Sequence, residues 1–211
     1  MRNVFAHLAP LLFGGACALL AGCDLSRPAP VKNTFLLDPR IPAAATVQKP
    51  VTLRIGTINV AAPYRDRTFV YRTGELQYES DFYHEFFTAP ASMIAQAATK
   101  ALTGAKVFAR VVPAGTAPED GDYVLEAFVS DLYADTRSKP PYAVVSITFF
   151  VTRTTFPAGV VWSQPYSERI ALALATPDAL ATAWNEGLSR VLESLARDLA
   201  ASNAFAGDRA G

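Results

Sequence analysis

From Thr34 onward the chain predicts an α+β domain of two layers, an antiparallel or mixed sheet with two amphipathic helices packed on one face. Three observations carry that expectation. The elements run strands, helix, strands, helix; the middle strands are joined by short hairpin-like links; and each helical segment is apolar along one stripe only.

Taken in order, Thr34-Phe35-Leu36-Leu37-Asp38 reads as a first strand and Pro39 to Pro50 as a Pro/Ala connection. Val51 to Val60 alternates apolar Val51, Leu53 and Ile55 with Thr52, Arg54 and Gly56, the pattern of a half-buried strand. Pro63 to Arg67 turns the chain, and Thr68 to Arg72 is a β-branched and aromatic strand. Gly74 breaks it, and Glu75 to Glu79 continue the pairing. Pro90 opens a helix at a favoured first-turn position; Met93, Ile94, Ala97, Ala101 and Leu102 share one face, and Gly104 is placed to stop it. Lys106 to Val112 is a strand and Pro113 to Gly121 a loop. Tyr123, Leu125, Ala127 and Val129 line one side of the next strand, Val144 to Thr154 follows, and Pro157-Ala158-Gly159 turns the chain into Val160 to Ala171. Thr176-Pro177-Asp178 supplies a cap residue, a first-turn proline and an acid at the positive end of the helix dipole. Leu180, Trp184, Leu188, Val191, Leu192, Leu195 and Leu199 then recur at helical spacing. The domain is bounded at 34–201, with 202–211 as a flexible tail.

Ahead of the domain, residues 1–22 have the parts of a secretory signal: Arg2, the apolar stretch Val4 to Leu20, and small Ala21 and Gly22. Leu20-Ala21-Gly22-Cys23 reads as a lipobox. Cleavage would follow Gly22, and diacylglycerol would be held on the Cys23 sulfur through a thioether. His7, Pro10, Gly14 and Gly15 weaken the alternative, a membrane-spanning helix, and the stretch is at the short limit for a span. One acyl chain binds a membrane marginally, whereas two or three hold it stably. Asp24 leans toward the inner membrane, with the outer membrane as the alternative; either places the protein on the periplasmic side of a bacterial envelope. Residues 23–33, with Pro28 and Pro30, form a tether reaching roughly 30 Å.

Composition narrows the chemistry. The 211 residues carry 19 basic and 19 acidic side chains, and no basic block supplies the electrostatic footprint of a nucleic-acid binder. Of two cysteines, Cys17 leaves with the signal and Cys23 carries lipid, so no thiol remains for a disulfide, a metal site or a nucleophile. His84 is the one histidine after the signal. A histidine-based catalytic group would have to use it, and metal centres of the usual kind need more ligands. It reads as a surface or capping residue. Glu119-Asp120-Gly121-Asp122 lacks the spacing of a calcium loop and reads as a solvated turn. Glu79 with Asp81, and Asp131 with Asp135, share strand faces without implying acid–base work. No glycine-rich phosphate loop occurs, so an ATPase would be another subunit. The expectation is a protein without catalytic residues, metal or cofactor beyond the lipid on Cys23. Phe82, Tyr83, Phe86 and Phe87 either pack between the sheet and the first helix or form a surface for a partner or lipid.

The sequence resembles the ABC-type transport auxiliary lipoproteins, accessory proteins of MCE (mammalian cell entry) lipid transport systems. The resemblance is carried by Thr34-Phe35-Leu36-Leu37, Leu53-Arg54-Ile55-Gly56, Phe69-Val70-Tyr71-Arg72, the run Tyr78 to Phe87 with Pro90-Ala91-Ser92-Met93-Ile94, Tyr123-Val124-Leu125-Glu126 and Ala183-Trp184-Asn185. It spans about residues 34–200, and the order of the segments is what is specific. Phe86-Phe87 stand where many relatives carry a tryptophan. The resemblance implies a lipid-anchored scaffold or docking subunit whose partners are an MCE-domain protein and the ABC permease and ATPase, and some relatives form rings. Two other readings stay open: a lipid carrier, which needs a deep apolar cavity, and an envelope structural lipoprotein acting through a sheet edge. Cys23→Ser should leave the protein unacylated and free of the membrane, read by membrane fractionation with mass spectrometry of the N-terminal peptide; a product that stays membrane-bound and uncut overturns the anchor.

Overall fold

The computed structural model describes residues 31–115 and 121–205. Gly22, Cys23, Asp24 and the tether to residue 30 lie outside the described residues, as do Glu119-Asp120 and residues 206–211 of the expected tail. A compact unit begins at Lys32.

Among the described residues, eight strands form one mixed sheet: β1 Asn33–Phe35, β2 Lys49–Val60, β3 Thr68–Arg72, β4 Tyr78–Phe86, β5 Phe108–Val112, β6 Tyr123–Asp135, β7 Tyr142–Arg153 and β8 Gly159–Ala171. β6 is its axis. β7 runs antiparallel along one side of it, and β8 extends the sheet from β7. Two strands share the other side of β6, end to end. β2 lies parallel to its first half, from Leu53 opposite Tyr123 to Val60 opposite Val129, and β3 lies parallel to its end, with Tyr71 opposite Ala134. β5 joins β2 in parallel, β4 joins β3 antiparallel, and β1 joins β4 in parallel.

Helix α1, Pro90–Ala105, lies over β2 and β5, and α2, Pro177–Ala201, lies over β7 and β8 and touches α1. Strand alternation explains why one face is covered. Leu125, Ala127 and Val129 of β6 are buried, while Glu126, Phe128 and Ser130 between them are exposed. On that open face the Ser146 and Ser167 hydroxyls sit 2.9 Å apart across β7 and β8. The period of two thus places an apolar set under the helices and leaves Glu126, Ser130, Ser146 and Ser167, with Phe128 among them, on the open face. Thr176 caps α2, its hydroxyl accepting from the Ala179 amide at 3.3 Å, and every one of the seven apolar positions read from the α2 pattern is buried. Each such leucine or valine contributes roughly 1.5–3 kcal/mol on burial.

Several expectations need correction. Gly104 does not stop α1; Lys106 does, in a left-handed conformation with φ 52°. Gly104 lies inside the helix because Ile41 of the Pro/Ala connection abuts it, and a Cβ there would collide with the Ile41 side chain. The connection also donates the Ala45 amide to the Ala105 carbonyl at 2.7 Å. The strand expected from Lys106 therefore starts at Phe108. The first strand is shorter than Thr34–Asp38, ending at Phe35. The aromatic segment after Glu79 is itself strand β4. The packed unit also runs past 201: Phe205 is fully buried, edge-on to Phe108 at 5.3 Å and to Tyr123 at 5.2 Å. The Ser202 carbonyl accepts from Lys49 Nζ at 2.8 Å, so residues 202–205 do not belong to a loose tail.

Asp135 closes the end of β6. It is 1% exposed and accepts from Arg137 Nε at 2.9 Å and Nη2 at 2.8 Å, and from Arg169 Nη1 of β8 at 2.9 Å. The Arg137 guanidinium, helped by Arg169 and opposed by burial, holds the Asp135 carboxyl well below the usual carboxylate range. A depressed folded-state pKa adds stability that is present above the unfolded value of about 3.9 and is lost as pH falls below it. Asp135→Asn should cost about 1–3 kcal/mol at neutral pH, read by urea unfolding, and the gap to the wild type should close on acidification below about pH 3.9.

Candidate functional site

β4 does not run straight. Thr68 of β3 pairs with Glu85, and two residues later Val70 pairs with Ser80, so β4 uses five residues where β3 uses two. Residues 81–84 bulge out of the ladder. Bulges re-aim side chains and concentrate at sheet edges, and this one sits where β4 borders the three-residue β1.

One carboxylate holds the bulge. Asp81 Oδ1 accepts from the Tyr83 amide at 2.8 Å and the His84 amide at 3.0 Å. Its Oδ2 accepts from the Tyr71 hydroxyl at 3.0 Å and lies 2.8 Å from His84 Nδ1. An aspartate accepting amides two and three residues on is the side-chain mimic of a backbone turn. Burial disfavours the charged form of Asp81, but the bonds from the Tyr83 amide, His84 and Tyr71 outweigh it, and the carboxyl sits below its ordinary range. Burial, then the Asp81 bond, raises the Tyr71 hydroxyl above its ordinary range. His84, half-buried within β4 rather than at a helix end, braces the turn.

The four aromatic candidates part company here. Phe82 is 68% exposed and Tyr83 44%; their rings stand edge to face at 5.1 Å on the outside of the bulge. Phe86, beyond the bulge, is 2% exposed and belongs to the core. Phe87 is exposed at the far end of the strand, where its amide donates to the Phe35 carbonyl at 2.8 Å. Lys32, the first residue of the compact unit, places its ammonium over the Phe82 ring at 5.2 Å. Lys32 and Arg67 share Glu85, at 3.4 and 2.7 Å. Lys32 and Asp81 were not singled out as site residues by sequence reasoning. The Asp-Phe-Tyr-His order was the available signal for Asp81; for Lys32 there was none, since β1 meets β4 only in three dimensions.

Behind the bulge the strand is nailed to α2. Trp184 packs on Phe69 at 4.8 Å and Phe86 at 5.2 Å, Phe69 and Phe86 lie 4.8 Å apart, and Trp184 Nε1 donates to the Val144 carbonyl at 3.2 Å. Asn185 takes the Asp38 amide on Oδ1 at 2.6 Å and donates from Nδ2 to the Leu36 carbonyl at 3.0 Å. A separate open groove of about 730 Å³ lies between the connection at Pro42 to Val47 and the second half of α2. Among the described residues, no group of three or more His, Cys, Asp or Glu side chains is placed to hold a metal ion, and no helix is long and apolar enough to cross a membrane.

No family model matches the chain, and no curated protein matches it. Solved structures do. Protein XCC0632 from Xanthomonas campestris, of the family called DUF330, is similar with a TM-score of 0.69 at 15% identity, over 77% of this chain and 92% of that one. An uncharacterized protein is similar with a TM-score of 0.64 at 12% identity, over 80% of this chain and 99% of that one. Hypothetical protein CT253 from Chlamydia trachomatis gives 0.50 at 8% identity, over 72% and 99%. The chain shares the fold of these proteins.

Phe86→Ala should cost about 3–5 kcal/mol and Phe82→Ala less than about 0.5 kcal/mol, both by urea unfolding. Asp81→Ala should cost about 1–3 kcal/mol and strip hydrogen-exchange protection from the Tyr83 and His84 amides.

Proposed function

We propose that this protein is a lipid-anchored accessory subunit of an ABC-type, MCE-associated lipid transport system on the periplasmic side of a bacterial envelope, acting as a scaffold or docking component without catalysis of its own. One observation carries the reading. The segments on which the family resemblance rests are far apart in sequence, yet Phe35, Phe69, Phe86 and Trp184 meet as one aromatic cluster, with Phe35 to Phe69 at 5.1 Å, and Asn185 fastens the chain just after β1. An ordered set of motifs that converges on one packing unit is the mark of a shared fold core. The likeness to XCC0632 supports the fold side of the proposal, and Leu20-Ala21-Gly22-Cys23 supports the anchor. Anchoring fits such a role because a tethered component meets its partners at high effective concentration, so weak docking suffices. Its partners would be an MCE-domain protein and the permease and ATPase, with self-association into a ring as a further arrangement. Asp24 favours the inner membrane.

A second reading, direct lipid carriage, is favoured by the groove beside α2, whose walls include Ala44, Val47, Val107, Ala196 and Ala200. Native mass spectrometry of the unacylated domain separates the two, since a carrier holds co-purified phospholipid. For the accessory role, crosslinking in the native membrane followed by affinity recovery should yield an MCE-domain protein or a permease; recovering neither with crosslinkers of several lengths overturns it.

A further inference from the structure

We propose that the β4 bulge is a membrane seat: Phe82 and Tyr83 enter the headgroup region of the bilayer that holds the lipid anchor, with Lys32 beside them at the phosphate level. The proposal rests on the anchored reading above and adds to it which end of the domain faces the lipid.

Three observations point there. The first is position. Cys23 precedes Lys32 by nine residues, a span of at most roughly 30 Å when extended. A tether limits the distance between its anchor and the point where it enters the body. That point is Lys32, whose ammonium lies 5.2 Å from the Phe82 ring. The bulge therefore lies within the tether's reach of the headgroups.

The second is chemistry. Phe82 offers an apolar ring and Tyr83 an apolar ring with a polar tip, the pairing found where one end of a side chain is dry and the other wet. The Lys32 stem can lie along the apolar layer while its head stays at the surface. Lys32 and Arg67 share Glu85, and Asp81 turns its oxygens inward to the Tyr83 amide and the Tyr71 hydroxyl. These two cations and two carboxylates balance, and the Lys32 ammonium beside the Phe82 ring is the group placed to meet phosphate.

The third is rigidity. Exposed aromatic side chains on a loose loop would have to be ordered on contact. Here four bonds to Asp81 and the edge-to-face contact at 5.1 Å set their direction beforehand, so little ordering is needed on binding. A short tether adds an effective concentration in the millimolar range, and a contact too weak to hold the free domain becomes occupied.

The test uses the mature chain 23–211, in which Cys23 is the single thiol. Coupled through Cys23 to maleimide lipid in vesicles of phosphatidylethanolamine and phosphatidylglycerol, it is anchored whether or not a cell acylates it. Phe82→Trp is compared with Phe128→Trp on the open face of the sheet, each read as its difference from the parent chain, which carries Trp162 and Trp184. The expected result is a blue shift of the Phe82→Trp emission on coupling, with quenching by brominated lipid severalfold greater than for Phe128→Trp. Equal or absent quenching at the two positions overturns the seat, including the case in which the bulge serves a protein partner. That failure leaves the anchor reading intact, because the anchor is tested by the fate of Cys23→Ser in cells.

Discussion

The structure turns on a single side chain of α2. Trp184 reaches across the covered face of the sheet, packs its ring on Phe69 of β3 and Phe86 of β4, and gives its indole hydrogen to the Val144 carbonyl of β7. Those strands lie on opposite sides of β6. The group β1, β4 and β3 touches β6 only near its end, through Tyr71 and Arg72, and backbone pairing alone would join it weakly to the rest. Trp184 and its neighbour Asn185 close that gap: the ring contacts and the two Asn185 bonds to the Leu36 carbonyl and the Asp38 amide hold the β1, β4 and β3 group, and the indole bond holds β7. Ser189, one turn further on, takes the Arg40 amide at 3.0 Å and continues the fastening.

The bulge follows from this constraint. β4 must deliver Phe86 into the cluster, and β1 must reach Lys32 beside Phe82. Between those demands the strand departs from the ladder, and Asp81 turns the departure into a fixed shape. Bending residues 81–84 away from β3 takes their amides out of that ladder, a cost that recurs wherever a buried or half-buried N–H lacks an acceptor. The Asp81 carboxylate accepts two of those amides. An aromatic pair directed outward is thus a by-product of the same geometry that packs the core.

Much of the fold was legible in sequence. Helix α2 announces itself by cap, proline, acid and seven apolar positions at helical spacing, and β2, β6, β7 and β8 by alternation and turn residues. What could not be read is long-range pairing: nothing local says that β2 and β3 share one side of β6, or that β1 lies parallel to β4. The Gly104 stop was misread because glycine serves two needs, a left-handed cap and a close approach, and here it serves the second. The candidate site was half legible. The aromatic run was visible, but strict alternation puts Phe82 and Phe86 on one side of a strand, whereas the bulge between them sends one to solvent and the other to the core. Phe205 was missed because a lone aromatic after a helix carries no period.

The end-to-end arrangement of β2 and β3 along β6 has a mechanical side. A pull on the chain ahead of Lys32 loads β1 first, and β1 holds β4 through three residues. Next in line are the Asn185 bonds and the ion pair of Asp38 with Lys100 at 2.7 Å. The long ladders joining β6, β7 and β8 lie outside that path. Under tension the first few residues can peel away and extend the chain ahead of the sheet while the main sheet keeps its shape, much as a fuse yields before the circuit does.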